Sequence, residues 1–417
     1  MNPRENMMKV LRHETPGWVP IDFGSTATTG IHISCVAALR DHYGLEKRAV
    51  KVYEPYQMLG WIDEDLKEAM GIDTEGLYPH KTLFGFCNEN WREFLLPWGQ
   101  EVLVSEHFNT TVDKNGDLLL YPEGDLEAPP SGRMAVSSAF FDTIIRQPTL
   151  DDNALNPEDN CEEFTDLSPE DEAHFAEEVR RLEGSRRVRV GTLGGTGFGD
   201  IALVPAPFLK HPRGIRDIEE WYISTLTRQD YVHAIFEAQC EVALRNLEAC
   251  SRIVGDAIDV LFVCGTDFGT QTSTFCSTDT FDSLYAPYYR RVNDWVHRHT
   301  EWKTMKHSCG AVGTFLSHFI EAGFDIVNPV QCSARGMDSH WLKREFGEQL
   351  TFWGGGVDTQ KTLPFGQPDE VRAEVLSRCE TYAPNGGFVF NAVHNIQMHT
   401  PLPNMIAMID AVREFNG

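Results

Sequence analysis

Two side chains able to hold a metal stand two residues apart, His307 and Cys309, in His307-Ser308-Cys309-Gly310 at the end of the strand-like run Thr304-Met305-Lys306-His307. On extended backbone, residues i and i+2 point the same way, so an imidazole nitrogen and a thiolate would face one ion. That is half of a zinc site. A catalytic zinc keeps three protein ligands and one open position, so a third ligand must come from another loop. His394 is the first choice for it, and Asp267 and Asp358 are oxygen alternatives. Histidine and cysteine are also commonly buried for packing, and the pair must be weighed against that ordinary use.

The other polar residues that could do chemistry follow the same placement, just after apolar runs. Asp267 lies in Cys264-Gly265-Thr266-Asp267-Phe268-Gly269-Thr270-Gln271, Gln331 in Asn328-Pro329-Val330-Gln331, and Asp358 in Gly354-Gly355-Gly356-Val357-Asp358. Asn391 and His394 close the set. Asp267, Gln331, Asp358 and Asn391 are read as catalytic or ligand-orienting groups. Cys264 and Cys332 sit near strand ends too, but read as small packed residues. Gly191 to Asp200 is a glycine-rich loop that matches neither G-x-G-x-x-G nor the P-loop, and is read as a permissive rim rather than a phosphate cradle. No G-x-S-x-G elbow and no C-x-x-C occurs, which removes the support for a serine hydrolase or a redox dithiol.

Elements that could position these groups alternate along the second half of the chain. Strand-like runs start at Val188, Asp259, Thr304, Asp325, Leu350 and Gly387, each followed by a Gly-, Asp-, Asn- or Thr-rich loop and then a helical pattern such as Phe281 to His297 or Asp369 to Thr381. Parallel strands joined by crossover helices give this rhythm. With early strands near Val19 and from Thr74 to Tyr78, eight is reachable, so the α/β class is read as a (β/α)8 TIM barrel whose C-terminal strand ends carry the site. A doubly wound open sheet is the alternative. Two further pieces look inserted, at about residues 91–183 of a single barrel domain spanning 1–417. One is a β-hairpin from Trp91 to Asp125 turning at Asp113-Lys114-Asn115-Gly116-Asp117, and the other is an acidic linker with a helix from Glu170 to Leu182.

Bulk properties bound the partners. A net charge of −26 disfavours nucleic acid and anionic membrane surfaces. No run of about 18 apolar residues is present, and Met1 to Asn6 lacks the apolar stretch of a signal peptide, so the expectation is a cytoplasmic protein without a membrane partner. The ten cysteines show no disulfide framework.

The chain resembles the uroporphyrinogen decarboxylase superfamily. The resemblance starts with Pro3-Arg4-Glu5-Asn6, Leu11-Arg12-His13-Glu14 and Val19-Pro20. It is more specific at Asp267-Phe268-Gly269-Thr270-Gln271, Ala286-Pro287-Tyr288-Tyr289, His307-Ser308-Cys309-Gly310, Asn328-Pro329-Val330-Gln331 and Gly354-Gly355 with Val357-Asp358. It implies a (β/α)8 barrel, a dimer as the default assembly, and one of two chemistries. One is cofactor-free decarboxylation of uroporphyrinogen; the other is zinc-dependent methyl transfer to or from a corrinoid carried on a partner protein. The decarboxylases hold substrate carboxylates with an arginine-rich N-terminal motif, whereas Ile21 to His32 contains no arginine, and the nearest one, Arg40, reads as a surface residue of an amphipathic helix.

The methyltransferase branch carries a His-x-Cys pair, matched by His307 and Cys309, plus a late cysteine, where this chain has His394 instead. The resemblance therefore implies bound Zn2+, a small-molecule methyl donor or acceptor, and methylcobalamin or another corrinoid supplied by a partner, since no Asp-x-His-x-x-Gly corrinoid motif occurs here. A decarboxylase acting on another carboxylate, with Asp267 facing the intermediate and His394 the substrate, is the alternative. A barrel retained only for binding is the third reading.

Overall fold

Short β-branched and aromatic runs separated by glycine and aspartate become seven parallel strands in the computed structural model, which describes residues 1–417. They are β1 (Thr74–Leu77), β2 (Val188–Gly191), β3 (Val260–Cys264), β4 (Lys303–His307), β5 (Ile326–Asn328), β6 (Thr351–Trp353) and β7 (Phe388–Val389). Each pairs in parallel with the next in chain order. Consecutive order with helices between is what right-handed crossovers require of a barrel wall, and it excludes the doubly wound alternative, whose strand order reverses.

The segment around Ile21 closes the ring. The Asp22 amide donates to Phe390 O and the Phe390 amide to Pro20 O, at 2.9 and 2.8 Å, while the Asp73 amide donates to Ile21 O at 2.8 Å. Side chains reinforce the seam. The Asp22 carboxylate is fully buried and accepts from the Thr74 hydroxyl of β1 at 2.6 Å and the Trp353 indole of β6 at 2.8 Å. Burial raises its pKa, partly offset by these bonds.

Period-two alternation sorts each strand's side chains into two cores. Val188, Val190, Val260, Met305, Ile326, Trp353 and Val389 point into the barrel and pack on Met7, Val10 and Leu11 of the N-terminal helix Pro3–Leu11, which plugs the lower end. That helix starts at a capping box between Asn2 and Glu5, with proline in its first turn. The opposite faces pack under the outer helices, among them Gln229–Val254, Ala286–His299, Pro368–Tyr382 and Leu402–Asn416.

The region before β2 is more than a hairpin. Thr110–Val112 and Leu118–Leu120 do form one, turning at Asp113 to Asp117, but Gly132–Met134 and Asp142–Thr143 extend it to four strands. A second four-stranded sheet joins Leu59–Gly60, Val50–Glu54, Glu101–Val104 and Arg92–Leu95 in that order. The acidic stretch ends in the helix Pro169–Arg181.

Arg40 corrects the sequence reading. Its side chain is 3% exposed, forked onto Asp65 at 2.8 and 2.9 Å and donating to Glu46 O, so bidentate pairing offsets the cost of burying the guanidinium. No helix is long and apolar enough to cross a membrane.

Candidate metal centre

His307 shares its face of β4 with Met305, two residues earlier in the barrel core, and so projects inward at the top of the strand. Cys309 follows past the strand end, and His394 comes from the loop after β7. One ligand atom from each of the three lies within 4.8 Å of the others. The Cys309 Sγ to His307 Nε2 distance is 3.5 Å. Zinc bond lengths and a tetrahedral angle call for an S···N edge of about 3.6 Å, so this pair already has the spacing such an ion needs.

The chain fixes which nitrogen His307 offers. Asn328 Nδ2 donates to Trp353 O at 2.8 Å, so its Oδ1 must be the atom 2.7 Å from His307 Nδ1, and Nδ1 carries the proton. The Nε2 lone pair is left for the cavity. Burial pushes the pKa of His307 down to about 4, with Asn328 opposing and Lys306 assisting. Burial and then the neighbouring His307 push His394 down to about 4 as well. Both rings are thus neutral ligands near neutral pH. Burial, and next the carboxylate of Asp267, raise the Cys309 thiol well above its ordinary value.

Asp267 braces this group. Its Oδ1 accepts the Cys309 amide at 2.7 Å and stands 3.8 Å from His307 Nε2. Burial raises its own pKa, opposed by that amide and by Lys306. Gln331 acts on the backbone: its Oε1 accepts the Gly310 amide at 2.8 Å, and its Nε2 donates to Gln271 at 2.7 Å. Gly310 turns with φ +90°, and a Cβ there would collide with the Gly269 carbonyl. Lys306, fully buried on the outer face of β4, donates to Thr266 O at 2.6 Å and His307 O at 2.5 Å, and sits 5.0 Å over the Phe268 ring.

Two expected site residues stand elsewhere. Asp358 accepts the Gln360 and Lys361 amides at 2.6 and 3.0 Å, spending its carboxylate on the turn that starts the next helical segment. Asn391 is buried and donates to Asp22 O at 2.6 Å, tying the end of β7 to the closing segment. Neither lines the cavity above the centre. Cys264 is packed in the core, and Cys332 contacts the Tyr382 hydroxyl at 3.3 Å.

That cavity measures about 1370 Å3. His307, His394 and Asp267 lie on its wall, and Thr192 to Asp200 of the glycine-rich loop form part of it. The extra sheets and helix contribute too, through Glu54, Trp91, Thr143 and the stretch from Glu170 to Arg181.

Sequence reasoning missed two acids here. Asp200 has its pKa raised to about 6 by burial, with Asp267 adding to the shift, and Glu54 is raised to about 7 by burial. A signal existed for Asp200, the last residue of the loop read as a rim; Glu54 had none. Tyr222 was also missed. Its buried hydroxyl has no hydrogen-bond partner, its ring stacks on Phe275 at 4.6 Å, and burial, then Asp267 and Asp200, raise its pKa.

Comparison with known proteins agrees with this architecture. A uroporphyrinogen decarboxylase from Neisseria meningitidis serogroup C / serotype 2a is 20% identical over 226 residues, covering 53% of this chain and 58% of that protein. The chain therefore matches little more than half the length of that relative. A methyltransferase from Methanosarcina mazei superposes over 100% of both chains with a TM-score of 0.56 at 15% identity, a likeness of fold. Residues 155–415, well over half of the chain and including every strand from β2 onward, match the uroporphyrinogen decarboxylase (URO-D) family, and the chain belongs to that family.

Proposed function

We propose that this chain is a zinc-dependent methyltransferase that moves a methyl group between a small methylated compound, such as a methoxyarene, methylamine or thiol, and a corrinoid carried by a partner protein. The observation that carries the reading is the convergence of His307, Cys309 and His394 on one point of the barrel mouth. Two neutral imidazoles and a thiol form a donor set suited to zinc and short of four ligands, as in catalytic sites. Bound there, zinc would supply Lewis acidity to the heteroatom that gains or loses the methyl group.

The protein's own groups do the rest. Asn328 holds His307 in the tautomer that presents Nε2. Asp267 and Gln331 hold the Cys309-Gly310 turn through its amides. Asp200, which lines the cavity and whose Oδ1 accepts the Ala202 amide at 3.0 Å, holds its proton up to about pH 6 and would give it to a departing oxygen or nitrogen. The cavity exceeds what a small methylated compound fills, which supports admission of part of a bulky macrocycle beside it. The M. mazei neighbour adds a precedent for methyl transfer on this fold.

The closing segment favours this reading over porphyrinogen decarboxylation. Residues 21–32 supply threonines to the cavity, Thr26 and Thr28, and no guanidinium. Arg181, which lines the cavity from the helix Pro169–Arg181, is paired with Glu178 at 2.8 Å. The test mixes zinc-loaded protein with cob(I)alamin and a panel of methoxyarenes, methylamines and methyl thioethers, and follows the visible spectrum for methylcobalamin. Methylcobalamin that forms with wild type and is lost in Cys309→Ala supports the reading. Release of carbon dioxide from uroporphyrinogen, with no methyl transfer to any corrinoid, overturns it.

A further inference from the structure

A second set of reactive groups lies on the same cavity, built from residues the metal centre does not use. Thr82 and Phe86 pair across a tight turn, with the Thr82 amide donating to Phe86 O at 2.9 Å, and this brings His80 and Cys87 side by side. Cys87 Sγ lies 3.2 Å from His80 Nε2. On the far side of the ring, His80 Nδ1 lies 2.9 Å from Asp171 Oδ1. Both His80 and Cys87 line the cavity, and both are half-buried.

This arrangement differs from a cysteine packed for volume. A carboxylate can only accept at Nδ1 unless it is protonated, and burial, which works against ionisation of Asp171, is outweighed by its bonds to His80 and Ser168, so its pKa is lowered. Nδ1 therefore holds the proton and Nε2 turns a lone pair to the thiol. Asp171 is itself fixed at the start of the helix Pro169–Arg181, where Ser168 donates to its Oδ2 through the hydroxyl at 2.8 Å and the amide at 3.1 Å. The His174 ring stacks on His80 at 4.9 Å and holds its own place through Tyr78 O at 3.1 Å. Nucleophile, base and orienting acid thus come from the turn after β1 and from the inserted helix, each held by a further partner.

We infer that Cys87, His80 and Asp171 form a thiol acyl-transfer site that takes small carboxylic esters or thioesters entering the cavity. Cys87 is the nucleophile, His80 the base that touches the reacting proton, and Asp171 a positioning residue acting through His80. In acylation the S–H proton passes to His80 Nε2 as sulfur bonds to the carbonyl carbon. The bond from that carbon to the alkoxide or thiolate breaks, and the leaving group takes the electron pair and recovers the proton from His80. Water then attacks the thioester with its proton going to His80, the carbon–sulfur bond breaks, and the thiol is restored with release of the carboxylic acid. No oxidant or metal enters. Burial and the carboxylate of Glu89 raise the Cys87 thiol above its ordinary value while Lys81 lowers it, so the resting thiol keeps its proton and the base must act during the attack.

The inference stands independently of the methyltransferase reading, because none of these three residues contacts His307, Cys309 or His394. The experiment treats the zinc-loaded protein with p-nitrophenyl acetate across a pH series. It follows the nitrophenolate burst and maps the acetyl group by peptide mass spectrometry. The expected result is a burst equal to the protein concentration, with acetyl on Cys87 and a rate that climbs with pH much less steeply than about tenfold per unit. In His80→Gln the rate drops by about 100-fold and rises about tenfold per pH unit, since only spontaneous thiolate then reacts. Asp171→Asn falls by a similar factor and keeps the wild-type fold, measured by its circular dichroism spectrum and thermal melting. Acetylation spread among the partly exposed Cys161, Cys276 and Cys332, or a burst on Cys87 whose rate and pH profile are unchanged in both variants, overturns the inference.

Discussion

The side-chain oxygen of Asn328 lies 2.7 Å from His307 Nδ1, and because the Asn328 amide nitrogen is committed to Trp353 O, this bond has only one polarity. A barrel strand end thereby dictates the protonation pattern of a ring on its neighbour. Partners of this kind orient metal-ligating histidines and raise their basicity. Asn328→Ala should therefore weaken zinc retention by about 10- to 100-fold, read by competition with a chromogenic chelator. An unchanged affinity would show that the ring is held by packing alone.

Asp200 tests the proton-transfer step separately from metal binding. With its pKa near 6, its acid form is populated below that value and depleted above it, so transfer that relies on the proton should decline as pH rises through about 6. Asp200→Asn should lower turnover by about 100-fold at equal zinc content and remove that decline. Rate profiles of the two proteins under saturating substrate check both statements.

Lys306 should matter for stability rather than for substrate. Its ammonium holds the Thr266 carbonyl, in the loop after β3 and just before Asp267, and the His307 carbonyl at the end of β4, just before the Cys309 turn. Lys306→Met leaves two buried acceptors without a donor, at a cost of roughly 2–4 kcal/mol. Denaturant unfolding measures this, and reduced zinc content in the surviving folded fraction would follow from loosened strand ends.

Glu54 gives a stability signature in pH. Burial raises its pKa from 4.5 to about 7, against the amides of Tyr56 and Gln57. The folded state then binds this proton more tightly than the unfolded chain does, so the contribution is complete below pH 4.5 and is lost as pH rises through 7. The loss is of the order of 3 kcal/mol. Thermal melting of Glu54→Gln across that window should show a shallower fall than wild type. Asp73 and Asp200, each raised to about 6 by burial, keep part of the slope in both proteins.

The barrel was legible because its signals are local. Val188 to Gly191, Val260 to Val263 and Ile326 to Asn328 carry β-branched residues in runs bounded by turn formers, and the helices between them start at recognisable caps. His307 and Cys309 were legible for the same reason, being two residues apart on one strand end. The two added sheets were less so, because Val50–Glu54 pairs with Glu101–Val104 across some fifty residues and no nearby turn announces it. Asp358 misled through position: three glycines after β6 leave the backbone free to turn, and its carboxylate caps that turn instead of facing the cavity. Arg40 misled through type, since its partner Asp65 lies on another helix. The grouping of His80, Cys87 and Asp171 depends on docking the helix Pro169–Arg181 beside the turn after β1, a tertiary contact that spacing cannot express.

The role assigned to His307, Cys309 and His394 is tested most directly by zinc K-edge X-ray absorption of protein purified in the presence of zinc and freed of excess metal. One sulfur neighbour at about 2.3 Å, two nitrogen neighbours at about 2.0–2.1 Å, and loss of the sulfur shell in Cys309→Ser are the expected results. A spectrum containing no sulfur neighbour, or protein that leaves the column without zinc, would contradict the proposed centre and the methyl transfer built on it.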